Sequence, residues 1–325
     1  MRKRFLLIFL LLPGSALGET AVLKLGLPIA CEFGKTCWVQ QYPDHDPSGG
    51  IADYACGTQT YDGHDGTDIR IRDTAATADV IAAAAGAVKA VRDGVPDHLM
   101  LTPDDRKAVG NKECGNGVLL AHGDGWETQY CHMRKGSVSV KAGGKVTAGT
   151  RLGEVGYSGM AAFPHVHLTV RKDGKSLDPF RMTGDQDKCG IDRVVLWTDE
   201  ALAALSYAKG SLLRTGFAPG GVEIGALETG KHRDEAFADD WPALVAFGWA
   251  INLSEGDAVT VTLAGPAGIS AENSVTLDRA KAQYLLFAGQ KRPAPGWPKG
   301  DYEGTVEIRN GPDIKLTATW IRRLN

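Results

Sequence analysis

Short runs of alternating apolar and polar residues, separated by glycine-centred turns, dominate this chain. Residues 67–72, 137–140 and 165–171 alternate with a period of two, which is the period of a strand with one face in a core. No long stretch holds the helical period. The segment 140–156 predicts two short strands around Gly143-Gly144 and Ala148-Gly149, and residues 118–121 and 127–130 predict a hairpin turned at Gly123-Asp124-Gly125. Between strand candidates, residues 92–112 are polar and contain Pro96 and Pro103, so a long surface loop near the functional site is expected there.

The pattern changes after Cys189. A helix over residues 199–208 is expected, capped by Thr198. Strands follow at 244–253, 258–263, 282–287, 304–309 and 314–320, the last two joined at Asn310-Gly311. Strands at this spacing predict a small β-sandwich. Trp241, Trp249 and Trp297 in this region would either stack on sugar or fill the core, and the core is the better expectation. His232 is expected to be a solvated loop residue. The fold class is therefore mainly β, with a β-rich first domain over 19–190 and a β-sandwich over 191–325.

Composition adds limits. The chain has 325 residues, a formal charge of -3, 43% hydrophobic and 23% charged residues, which is enough for two ordinary cores. No basic excess exists to neutralise phosphates, so neither nucleic acid nor an anionic membrane is an implied partner. Arg2, Lys3 and Arg4 precede an apolar run at 5–12, then Pro13, Gly14, Ala16 and Gly18. That order of charge, apolar core and small residues predicts a secretory signal over 1–18, cleaved after Gly18. The apolar run is too short to span a bilayer and no second span follows, so no membrane span is expected after cleavage; the alternative is a retained N-terminal anchor.

Six cysteines, Cys31, Cys37, Cys56, Cys114, Cys131 and Cys189, fit an exported, disulfide-bonded protein. Cys114 and Cys131 flank the expected hairpin and are placed to pair. A cysteine zinc site is disfavoured, because no CxxC occurs.

The chemistry lies in three short motifs. His64 sits in a glycine-rich loop leading into a strand that carries Asp68, so both are able to face one metal ion. His165 and His167, two apart in a strand, project from the same face about 7 Å apart. One would bind zinc while its neighbour reaches water or substrate. His132, at the end of the hairpin, would be a further proton-handling group. A zinc hydrolase needs three protein ligands and an open position, and these motifs supply them with two histidines left over. Asp62 and Asp65 would orient His64 or face solvent. Within Asp44-His45-Asp46, a fourth zinc ligand is set against an exposed loop, which the flanking Pro43, Pro47 and Gly49-Gly50 favour. His122 is expected to be a turn residue.

With these residues in place, the sequence resembles the lysostaphin-type (LytM-like) zinc metalloendopeptidase family of peptidoglycan hydrolases. The resemblance runs from about Gly63 to Pro179 and takes in His64-x-Gly66-x-Asp68, Gly115-Asn116-Gly117, Tyr130-x-His132, Gly153-x-Val155-Gly156, Ser158-Gly159, Pro164-His165-x-His167 and Asp178-Pro179. It implies a barrel-sandwich-like catalytic domain with its core at 57–180, one zinc ion held by His64, Asp68 and His167, and catalytic roles for His132 and His165. Cys131 stands where the family has a small residue, and the 92–112 loop is longer than the family's. The cysteine-bearing opening from Cys31 to Gly57 resembles a Gram-negative branch, which implies the periplasm. The function implied is hydrolysis of peptide bonds in peptidoglycan. The alternatives are a non-catalytic wall-binding or hydrolase-activating protein, in which the five residues would be free to be lost, and a zinc protease acting on ordinary proteins.

Overall fold

The computed structural model describes residues 23–182, 188–190, 194–233 and 236–325. The expected leader lies outside them. The N-terminal unit contains β1 (Ile29–Ala30), β2 (Cys37–Gln41), β3 (Thr67–Ile71), β4 (Asp79–Ile81), β5 (Gly86–Arg92), α1 (Pro103–Val109), β6 (Asn116–Gly123), β7 (Trp126–Met133), β8 (Lys145–Val146), β9 (Arg151–Glu154), β10 (His165–Lys172) and β11 (Lys175–Leu177). One sheet runs β2-β3-β10-β7-β6-β5-β8, and β11 pairs with the second half of β10 where β3 ends. A smaller sheet, β1-β4-β9, shares its core. Alternate residues supply that core: Ile69, Val166, Leu168 and Val170 from one sheet, Ile29, Val80 and Leu152 from the other.

The expected hairpin is β6–β7, and its cysteines form the Cys114–Cys131 disulfide, with Cα atoms 4.8 Å apart. Cys31–Cys37 and Cys56–Cys189 complete the set. Two expectations for this unit need correction. Residues 137–140 are not a strand: Ser137 N closes a turn on Arg134 O, Val138 N goes to the Asp93 carboxylate, and Ser139 N makes a backbone bond to Leu152 O. The 92–112 segment is not all loop: Thr102 and Asp105 form a reciprocal cap that starts α1, with Pro103 in its first turn.

Further along lie α2 (Asp199–Ala204), β12 (Ser211–Ala218), α3 (Ile224–Glu228), β13 (Ala243–Leu253), β14 (Asp257–Ala264), β15 (Ser270–Thr276), β16 (Lys281–Lys291), β17 (Gly300–Asn310) and β18 (Asp313–Leu324). Thr198 caps α2 as expected, but the helix stops at Ala204. Tyr207 then stacks on Tyr42 at 5.5 Å and donates to Asp53. Leu196, Trp197, Ala201 and Leu205 belong to the first core, so that unit's packing continues well past residue 190.

Sheets β12-β13-β16 and β15-β14-β17-β18 face one another across a second core. β13 reads ALVAFGWAINL, a nearly unbroken apolar run, as expected of a strand covered on both faces. Its Leu244, Ala246 and Ala250 enter the sandwich core, while Val245, Phe247, Trp249 and Ile251 turn the other way onto Trp38, Val222 and Leu227. Trp241, Trp249 and Trp297 are all buried, which removes the sugar-stacking alternative. His232 is also buried, against expectation, and its ring lies 6.5 Å from that of Phe247.

That second face is the contact between the units, and polar groups lock it. Arg70, fully buried, pairs with Glu228 at 2.8 Å; in the opposite sense, Arg214 pairs with buried Asp73. Asn252 donates to Gln59 and to the Val39 carbonyl, and the Glu228 carbonyl accepts from the Thr74 amide. Burying charges is tolerated only when each has its partner, so these pairs fix one docking geometry.

Candidate metal centre

β10 is the spine of the site. In register, His167 has Asp68 of β3 on one side and Cys131 of β7 on the other, and His165 stands opposite Arg70. His64 arrives from the preceding loop. The loop at 42–46 braces it: Tyr42 O accepts from His64 Nδ1 at 2.7 Å, and Asp44 both accepts from the Gly63 amide and donates its own amide to His64 O.

Three donor atoms converge. His64 Nε2 lies 3.3 Å from Asp68 Oδ1 and 3.2 Å from His167 Nδ1, and His167 Nδ1 lies 2.8 Å from Asp68 Oδ1. Ligands about 2.0–2.1 Å from one tetrahedral zinc ion sit roughly 3.3 Å apart, so this triangle has the size of one face of such a site. Its two imidazoles and one carboxylate are zinc-type donors. The tautomers agree as well. Hydrogen bonding to Tyr42 O fixes the proton of His64 on Nδ1 and leaves Nε2 for a metal. On His167, Nε2 is held by Thr169 Oγ1 at 2.9 Å and Asp65 Oδ1 at 3.3 Å, which leaves Nδ1 facing the triangle.

Gly66 makes the close approach possible. A Cβ there would sit 2.5 Å from His167 Nε2 and 2.8 Å from the Leu168 carbonyl. Asp65 therefore orients His167, not His64 as the sequence suggests, and Ser176 and Arg171 steady its other oxygen.

His132 and His165 stand beside the triangle, ring centroids 4.5 Å apart. Each is pinned by a backbone carbonyl: His132 Nδ1 donates to Ser158 O and His165 Nδ1 to Phe163 O, both at 2.8 Å. Both Nε2 atoms are left as acceptors, and His165 Nε2 lies 3.5 Å from Asp68 Oδ1. His132 adopts φ 61°, a left-handed conformation uncommon outside glycine, with its amide donating to Cys114 O. Ser158 holds this corner, since its hydroxyl accepts from the Asn116 amide and donates to Met133 O.

Burial governs the protonation states. Desolvation drives His132 well below its ordinary pKa, and the neighbouring His165 and His167 add to this; His165 is lowered mainly by desolvation. Burial opposes charge on His167 too, but its hydrogen bonds to Asp65 and Asp68 prevail and raise it to about 9. Asp68, whose burial alone would raise it, is held well below the carboxylate range by the neighbouring His64 and His165 and by the hydrogen bond from His167.

All five sequence-selected residues meet here. The other candidates do not. His45, expected in an exposed loop or as a fourth ligand, is buried and bonded through Nε2 to Asp178 at 2.8 Å. His122 bonds Ala85 O and Thr128 Oγ1, and Asp62 is exposed. Sequence reasoning missed Thr169 and the three carbonyls of Tyr42, Ser158 and Phe163. Thr169 was findable, since it continues the same-face series after His165 and His167.

Asp68, His132, His165 and His167 line a cleft of about 680 Å³, whose lining also includes Met100 and Arg106 from the 92–112 segment and, from the second unit, Ala282 and Gln283.

Residues 62–179 match Peptidase family M23. Over 65 residues the chain is 37% identical to the DD-carboxypeptidase/endopeptidase Mpg of Neisseria meningitidis, covering 20% of this chain and 14% of that protein. It is 34% identical over 67 residues to the peptidoglycan DD-endopeptidase ShyA of Vibrio cholerae, covering 21% and 15%. To the cell division protein DipM of Caulobacter vibrioides it is 39% identical over 71 residues, covering 20% and 11%. The chain thus spans under a sixth of each of these curated relatives. Among solved structures, the catalytic domain of the prophage-encoded M23 protein EnpA from Enterococcus faecalis aligns with a TM-score of 0.32 at 23% identity, over 50% of this chain and 98% of that one. The catalytic domain of lysostaphin from Staphylococcus simulans aligns at 0.27 and 23% identity, over 43% and 85%.

Proposed function

Because residues 62–179 form a peptidase family M23 domain, we propose that this protein is an exported, periplasmic zinc endopeptidase that hydrolyses peptide bonds in peptidoglycan. The observation that carries the reading is the triangle of His64 Nε2, Asp68 Oδ1 and His167 Nδ1 beside two neutral, pinned histidines that line a cleft. Three disulfides support export.

In this reading His64, Asp68 and His167 hold one zinc ion. When bound, zinc supplies the charge that polarises a peptide carbonyl and makes water acidic enough to attack near neutral pH. The protein's own groups do the rest. Asp65 and Thr169 keep the His167 proton on Nε2, away from the metal face. One of His132 and His165, both uncharged because they are buried, takes up a proton at Nε2 as the water oxygen bonds to the carbonyl carbon. That proton passes to the departing amine nitrogen as the C–N bond breaks. The C-terminal β-sandwich serves as an accessory unit.

Digestion of purified peptidoglycan beside casein tests the substrate class. New amino groups from peptidoglycan alone are expected. Cleavage of casein alone would replace this reading with a general zinc protease, and cleavage of neither with a wall-binding protein.

A further inference from the structure

The cleft is not built by the peptidase unit alone. Ala282 and Gln283, at the start of β16 in the C-terminal unit, line the same cleft as His132, His165 and His167. Ala282 is exposed there and Gln283 is half-buried. Their position is fixed from below by a continuous chain of contacts. Trp249 Nε1 donates to Gln283 Oε1 at 3.1 Å, and Arg70 lies 5.0 Å from the Trp249 ring and 4.9 Å from the Phe163 ring. Arg70 also binds Gln40 Oε1 at 2.7 Å and Glu228 at 2.8 Å. Phe163 is the residue whose carbonyl pins His165. The buried pairs between the units prevent this wall from swinging away.

We propose that the C-terminal β unit forms one wall of the substrate cleft, with Ala282 and Gln283 contacting the peptide beyond the scissile bond. The β16 wall presents the Ala282 methyl to the cleft, while the Gln283 carboxamide is tied to Trp249. The lining as a whole mixes charged side chains, Asp65, Arg106, Glu113 and Arg171, with uncharged ones such as Gln41 and Phe163. Binding energy gathered at such a distance from the reacting bond makes the enzyme sensitive to substrate length.

This inference rests on the peptidase reading for its substrate, but binding tests it separately from cleavage. The probes are a fluorescein-labelled crosslinked peptide pair with full stems, and the same crosslink trimmed to the residues flanking the scissile bond. Affinity is measured by anisotropy on full-length wild type, Ala282→Trp and Ala282→Arg. Ala282 is exposed, so neither variant places its side chain in the core. Both variants should weaken binding of the full-stem probe by about tenfold or more and of the trimmed probe by less than about twofold, the scale of a lost subsite. Equal loss on both probes, or no loss on either, would overturn the proposal. Wild-type protein that binds both probes but cuts neither would count against the peptidase reading while leaving the wall tested.

Discussion

The metal cluster and the sandwich core are both deeply buried, yet they are built on opposite principles. In the sandwich, Val259, Val261, Leu263, Val306 and Ile308 alternate inward, and burial is its own reward, each side chain contributing about 1.5–3 kcal/mol. In the cluster, His64, Asp68, His132 and His165 are equally hidden from solvent, and burial is a cost that hydrogen bonds only redistribute. One residue, His132, even takes a left-handed backbone conformation. A fold keeps so many buried ionisable groups where function requires them, and His64, His132 and His165 are each oriented by a backbone carbonyl that leaves Nε2 free.

The comparison yields predictions, beginning with the strongest. His167→Ala and Asp68→Ala each remove one corner of the triangle. Either should lower zinc affinity by more than about 100-fold, since even a residue that merely orients a ligand is worth 10–100-fold, and hydrolysis should fall with it; metal analysis and amino-group release check this. His132→Ala should keep its zinc and lose about 10²–10⁴-fold in turnover, the range of a general acid–base group. Full turnover by that variant would remove His132 from the mechanism.

Gly66→Ala tests whether the cluster depends on close approach. The added methyl meets the His167 ring and the Leu168 carbonyl, so zinc affinity should fall by about 10–100-fold, measured by competition with a chelator. In the sandwich, Leu263→Ala should cost about 2–5 kcal/mol of unfolding free energy while zinc content and activity of the folded fraction stay as in wild type. If it also released zinc, the two regions would not be separable. The smallest effect is expected at Thr102→Ala, which removes the α1 cap for about 1 kcal/mol of local helix stability, read by hydrogen exchange.

The sequence was most legible where alternation and burial coincide. The β6–β7 hairpin, its disulfide and five strands of the second unit fall where they were expected, four of the strands on period-two patterns and β13 on a nearly unbroken apolar run. β15 went unseen because its residues, SAENSVT, are mostly polar on an exposed edge. β12 went unseen too, since its burial does not alternate along its length. Residues 137–140 alternate like a strand, but Ser139 N to Leu152 O of β9 is one backbone bond and not a ladder. In the site, the five residues whose types carry the chemistry were readable together. The carbonyls of Tyr42, Phe163 and Ser158 were not, because a backbone acceptor has no residue type. His45 and His232 were misjudged for a related reason: loop composition reports backbone conformation, not what folds over the loop. The reach of β16 into the cleft depends on how two units dock, and no local pattern records that.

The most direct test of the central claim is the zinc content of the purified protein lacking residues 1–18, measured alongside its chelator-sensitive release of amino groups from peptidoglycan. One zinc per chain, with cleavage that stops on chelation and returns on adding zinc, is the predicted result. A protein that takes up no zinc, or that cuts equally well without it, would contradict the account.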